Sequence, residues 1–108
     1  MTYAVIVQPQ AEHEFDVLYS YIAKRSRRGA IRWANAYFAM LSKLQDNPER
    51  FSLAPESALH DEAIRQVIFG TRHGLPYRAL FLIRSEVRVI HLRGPGQDHL
   101  TVDQLQLP

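Results

Sequence analysis

One change of period constrains this chain more than any other feature. From Ala11 to Leu44 the apolar residues recur at three and four, the spacing of a helix face, whereas from Ile64 onward they fall into short strand-like runs. With 108 residues, that division predicts one domain of α+β class over residues 1–108.

A short β-prone run, Tyr3–Val7, comes first and is ended by Pro9, a residue suited to the first turn of a helix. Ala11, Phe15, Leu18, Tyr19 and Ile22 then share one helical face. Glu12, Glu14 and Asp16 lie near the start of that segment, and Lys24, Arg25, Arg27 and Arg28 near its end, an order that suits the helix dipole. Gly29 reads as the break. Ala30, Trp33, Ala34, Tyr37, Met40, Leu41 and Leu44 mark a second helix, stopped by Asn47-Pro48. So short a turn predicts an antiparallel αα-hairpin whose aromatic stripes are core rather than a ligand site.

Residues 48–63 carry two prolines and no period, which predicts a loop. Ile64–Phe69, Tyr77–Arg84 and Val87–Arg93 predict three strands, the last two joined by a tight Ser85-Glu86 connection. Tyr77, Ala79, Phe81 and Ile83 fall on one face of the middle run, with Leu80 and Leu82 on the other. Apolar residues on both faces point to a central strand. The expected order is β-αα-βββ, with the helical hairpin packed on one face of a small, mainly antiparallel sheet.

Several classes are unsupported. There is no cysteine, so neither a disulfide framework nor a thiolate metal site is expected. The residues from Met1 to Val7 show no basic leader, and no apolar run approaches the length of a membrane span. The expectation is a soluble, cytoplasmic protein without membrane partners. No two histidines have helical i, i+4 spacing, and no GxxxxGK[ST], GxSxG or GxGxxG motif occurs; Gly94-Pro95-Gly96 reads as a turn. No cofactor and no metal are expected.

The net charge is only +2, yet of thirteen basic residues only Lys24 and Lys43 are lysine. The other eleven are arginine, the side chain suited to planar contact with phosphate or carboxylate, although arginine-favouring codons would give the same count. Their distribution is more telling. Between residues 65 and 93 there are six arginines (Arg65, Arg72, Arg78, Arg84, Arg88 and Arg93), accompanied by His73, His91 and the one acid Glu86. Pointing outward from a sheet, these arginines would form a basic patch for phosphate backbones or an acidic protein segment. The competing reading is a solvated strand surface that deters edge pairing. Arg78 lies inside an apolar strand, so its guanidinium must face a solvent-filled concavity or a carboxylate such as Asp61, Glu62 or Glu86. His91 alternates with Val89 and Val87; it reads as a structural residue or as a proton-transfer group.

Four features together resemble the RelE/ParE toxin superfamily, whose members are often described as plasmid stabilisation proteins. They are the opening strand with an acidic-start helix containing Tyr21-Ile22, a second helix closing on Leu44 and Asn47-Pro48, Ile64-Arg65-Gln66 leading to Gly70, and Tyr77-Arg78-Ala79-Leu80-Phe81 followed by Val89-Ile90-His91-Leu92-Arg93. The similarity runs from Tyr3 to about Leu100. It implies the toxin of a type II toxin–antitoxin system, which inhibits growth until a cognate antitoxin neutralises it. Two mechanisms occur in such toxins: RelE-like members are mRNA interferases that cut messenger RNA on the ribosome without a metal, and ParE-like members poison DNA gyrase.

Carried over by position, Arg78 matches the strand arginine that contacts phosphate in the ribonucleases, and Arg65 the arginine that opens the second strand. Catalysis by such a nuclease would fall to Arg78, Arg65 and His91. Target or phosphate binding would fall to Arg65, Arg72, His73, Tyr77, Arg78 and Arg93. The departures are specific. The ribonuclease pattern has a lysine pair before the Tyr-Arg strand, where this chain has Arg72 and His73, and residues 94–108 contain no Lys, Arg or Tyr. A histidine-based variant would use His91 or His99 with Glu56 or Glu62. The bare segment after Arg93 sides with the ParE-like, gyrase-directed members; the alternatives are a RelE-like mRNA endonuclease and a non-toxic binding module of the same fold. The antitoxin is expected to be acidic and to fold on binding. The tail from Leu100 to Pro108 is expected to be flexible, to dock on the helical hairpin or to join the partner interface.

Overall fold

The computed structural model describes residues 2–108; Met1 lies outside them. Strand β1 (Val5–Val7) leads into helices α1 (Pro9–Arg25) and α2 (Arg27–Lys43), two short 3-10 turns at Pro48–Arg50 and Pro55–Leu59, and strands β2 (Arg65–Phe69), β3 (Tyr77–Ile83) and β4 (Val87–Arg93). The sheet order is β1-β4-β3-β2, with β1 parallel to β4 and the other pairings antiparallel. This is the expected α+β arrangement.

Pro9 stands in the first turn of α1, where its missing N–H leaves nothing unpaired. The break between the helices falls at Ser26, not at Gly29. Ser26 is extended (φ −157°, ψ 110°) and ends α1, and its Oγ accepts the Gly29 N–H to cap α2. Arg27 and Arg28 therefore open α2 instead of closing α1, and they sit at the end of the dipole that disfavours cations. Asn47, left-handed at φ 47°, turns the chain after α2.

The helical hairpin covers one sheet face. Ala11, Trp33, Tyr37, Met40 and Leu44 are buried there against Val67, Phe69, Ala79, Phe81, Val87, Val89 and Leu92. Its centre is aromatic: Phe15 lies 4.6 Å from Tyr37 and 5.2 Å from Trp33 between ring centroids, and Trp33 lies 5.3 Å from Tyr77. Such contacts add to the area removed from water.

The opposite face is not open. Leu80, Leu82 and Ile90 are covered by Ala54 and Ile64 and by Leu100 and Leu105 of the tail, which form a second core. The segment read as a loop is thus two 3-10 turns and part of a lid on the sheet. Its Ser52 carbonyl accepts the Gln66 N–H at 3.0 Å, covering the start of the β2 edge. The tail docks on the sheet face away from the hairpin, and Leu105 is 1% exposed. Among the described residues no helix is long and apolar enough to cross a membrane.

Candidate functional site

Strand register separates the residues expected to work together. Arg65 opposes Phe81 and Phe69 opposes Tyr77, so Arg65 and Tyr77 lie on the hairpin side. There the Arg65 Nη1 donates to the Phe51 carbonyl at 2.7 Å. Tyr77 packs on Trp33 and Phe69, and burial raises its phenol above the ordinary value. Arg78 and Arg93 oppose each other on the lidded face. Arg72 and His73 belong to the exposed β2–β3 loop. The expected single basic face is therefore divided between two sides of the sheet and a loop.

Charge pairing neutralises three of its six arginines. Arg78 meets Glu56, Arg84 meets Glu62 and Arg88 meets Glu86, at 2.8, 2.8 and 2.6 Å. The carboxylate facing Arg78 is thus Glu56, not Asp61, Glu62 or Glu86. Arg93 Nη2 donates to the Asp98 carbonyl at 2.7 Å. The bidentate Arg78–Glu56 pair is completed by Gln66, whose Oε1 accepts from Nη1 at 2.9 Å, and by the Leu100 N–H, which donates to Glu56 Oε2 at 3.2 Å. Burial alone would raise the Glu56 carboxyl. The Arg78 guanidinium and two backbone N–H groups outweigh burial and hold it at about 2.

A second polar cluster lies at the β4 edge. Gln8 N–H bonds the Val89 carbonyl at 2.8 Å, and the chain then leaves the sheet as α1. Glu14, on α1, takes over as the partner of β4: its Oε1 accepts the Leu92 N–H at 2.9 Å and its Oε2 meets His91 Nδ1 at 3.2 Å. The alternation expected of His91 with Val89 and Val87 does not hold. Leu80 opposes His91 while Phe81 opposes Val89, so Ile90 is an extra, bulged residue. The bulge sends Ile90 and His91 away from the hairpin core and returns Leu92 to it.

His91 lines a groove of about 530 Å³ together with Glu14, Ile90, Arg93, Gln104 and Leu107. A carboxylate can only accept, so Nδ1 carries the proton, and Nε2, which makes no hydrogen bond among the described residues, is the basic nitrogen. An imidazole oriented this way beside a guanidinium can move a proton next to a bound anion. The histidine's carboxylate is Glu14 rather than Glu56 or Glu62, and His99 is exposed. The sequence offers Glu56 as a histidine's partner and not as that of Arg78, and it offers Glu14 no role in a site. Glu14 reads as a dipole-compensating acid, and Glu56 lies in a segment without period. The chain matches no model of a known protein family, and no curated protein matches it.

Proposed function

We propose that this protein is a growth-inhibiting toxin of the RelE/ParE kind that acts in the cytoplasm by binding a protein target, with DNA gyrase as that target and an acidic, folding-on-binding antitoxin as its partner. Fold alone does not assign function; the β-αα-βββ arrangement agrees with the resemblance. The observation that supports binding over RNA cleavage is the Arg78–Glu56 pair. The arginine that the resemblance assigns to phosphate has both terminal nitrogens engaged by a buried carboxylate. Induced in a bacterial host, the protein should arrest growth with filamentation and a DNA-damage response, and it should inhibit supercoiling by purified gyrase. Normal supercoiling at saturating protein overturns the reading.

One observation favours a second reading, a metal-independent, ribosome-dependent mRNA endonuclease: the Glu14-oriented His91 shares its groove with Arg93. Under it, His91→Ala abolishes transcript cleavage while the fold is kept. Intact transcripts in primer-extension mapping after induction count against it.

A further inference from the structure

The eleven arginines divide into two groups. Arg50, Arg65, Arg78, Arg84, Arg88 and Arg93 each donate at least one hydrogen bond to a carboxylate, amide or carbonyl oxygen. Arg25, Arg27, Arg28, Arg32 and Arg72 donate none and are in no ion pair among the described residues. All five are exposed. Four of them, with Lys24, make five cations in the nine residues 24–32, without one acid. Arg72 joins them through the fold, because its loop neighbours Thr71, Gly74 and Leu75 line the same cleft as Arg25, Ser26 and Gly29. Among the described residues, the arginines with neither a hydrogen-bond acceptor nor an ion-pair partner lie at the tip of the helical hairpin and in the adjoining β2–β3 loop, not on the sheet.

We propose that this end of the molecule binds the phosphodiester backbone of a single-stranded nucleic acid, with a base seated in the cleft beside it. Three observations carry this. First, α2 opens with Arg27 and Arg28 and has no acid in its first turn, the reverse of what the helix dipole favours. A bound phosphate supplies the negative charge missing there, and a local violation of this kind is where a working surface is expected. Second, Arg28 and Arg32 are one helical turn apart, so neighbouring guanidinium groups can take successive phosphates.

Third, the cleft is aromatic. It encloses about 430 Å³ and is lined by Tyr21, Trp33, Leu75 and Tyr77. Tyr21 is 52% exposed, with the Arg25 guanidinium 4.4 Å from its ring centroid, and the buried Trp33 Nε1 has no acceptor. Rings interleaved with arginines suit an unstacked base better than they suit an acidic peptide, which would need cations alone. The inference concerns a different surface from the sheet-face groups above. It requires neither toxicity nor a gyrase target, so the two readings fail separately.

The test is fluorescence anisotropy of the full chain with labelled twelve-nucleotide single-stranded RNA, the matching DNA, the DNA duplex, and a polyglutamate peptide, each across a salt series. Binding to one or both single strands should exceed binding to duplex and peptide. Arg27→Glu/Arg28→Glu/Arg72→Glu should weaken it at least tenfold and lower the log–log salt slope by about 2. The first two changes place acids where the dipole favours them, so the variant should fold. Tyr21→Ala should cost at least about fivefold, and Arg88→Gln should change affinity less than twofold. Should the triple variant fail to fold, Arg28→Gln and Arg72→Gln singly are expected to weaken binding in the same direction. No binding of either strand at low salt, binding undiminished by these changes, or equal binding of polyglutamate overturns the proposal; the last outcome points to an acidic protein instead.

Discussion

Arg78 and Glu56 meet in parallel, Nη1 to Oε1 at 2.9 Å and Nη2 to Oε2 at 2.8 Å, the carboxylate fully buried and the arginine side chain 17% exposed. Breaking a buried pair by removing one member leaves the other charge uncompensated, at roughly 3 kcal/mol. Glu56→Ala and Arg78→Ala should each cost about that much in urea unfolding. The double variant should cost well under their sum, because the second removal deletes the orphaned charge. Strict additivity would show that the two groups do not depend on each other.

The same pair sets the acid limit. Glu56 is held at about 2 against an ordinary 4.5, so the unfolded chain takes up the proton first as pH falls. The stabilisation is complete above the unfolded value and is lost between about pH 4.5 and pH 2, amounting to at most about 3 kcal/mol. Glu62 is also lowered, through its hydrogen bond from Arg84, but it is partly exposed and adds little. Urea midpoints measured from pH 6 to pH 2.5 should fall steeply for the wild type and much less for Glu56→Gln. Parallel curves would remove Glu56 as the cause.

What was legible in the sequence follows from periodicity. Tyr77, Ala79, Phe81 and Ile83 against Leu80 and Leu82 correctly separate the two faces of β3, and the helical stripes correctly face the sheet. The second core was hidden because Ala54, Leu100 and Leu105 come from segments with no period at all. The bulge at Ile90 was hidden because Val89, Ile90 and Leu92 suit either face, so one extra residue leaves no trace in the pattern. The site was less legible still. Glu56 and Arg78 are 22 residues apart and Glu14 and His91 are 77 apart, and nothing local announces such partners. Counting arginines finds the positive charge but not its state, since only the folded chain shows that Arg78, Arg84 and Arg88 meet carboxylates while Arg65 and Arg93 donate to backbone carbonyls.

The helix junction gives a test of local geometry. Ser26→Ala removes the cap of α2 and should cost about 1 kcal/mol. Gly29→Ala would ordinarily favour a helix, but a Cβ there would stand 3.0 Å from Ser26 Oγ and 3.2 Å from Ser26 Cβ. In the wild type it should therefore bring no gain. In the Ser26→Ala background the Oγ contact is gone but the 3.2 Å contact to Cβ stays, so the change should recover only part of about 1 kcal/mol. Thermal melts of the four proteins read this directly, and equal effects in both backgrounds would exclude the contact.

Glu14 should matter more through the Leu92 N–H than through His91. Glu14→Ala leaves that buried donor without an acceptor and should cost about 1–3 kcal/mol. Glu14→Gln keeps an oxygen for Leu92 and should cost under about 1 kcal/mol. If the glutamine variant is as unstable as the alanine variant, the carboxylate's charge, and with it the contact to His91, dominates at the β4 edge.

The tail supplies the last test, because its role decides whether the lidded sheet face is built by the chain itself. Leu105 is 1% exposed and Leu100 5%, both against Leu80, Leu82 and Ile90. Leu105→Ala should cost about 2–4 kcal/mol, the range for a large core side chain whose cavity collapses incompletely. Leu107 is only partly buried in the same cluster, so Leu107→Ala should cost under half as much. His60 offers an independent check, since its Nε2 lies 3.1 Å from the Leu105 carbonyl and ties the tail to the 48–63 segment. Hydrogen exchange should therefore show the amides of residues 54–64 losing protection together with those of 100–107 in Leu105→Ala, while the hairpin amides stay protected. Uniform loss would mean that the two cores unfold as one, and no loss at 54–64 would mean that the tail lies on the sheet without supporting the lid.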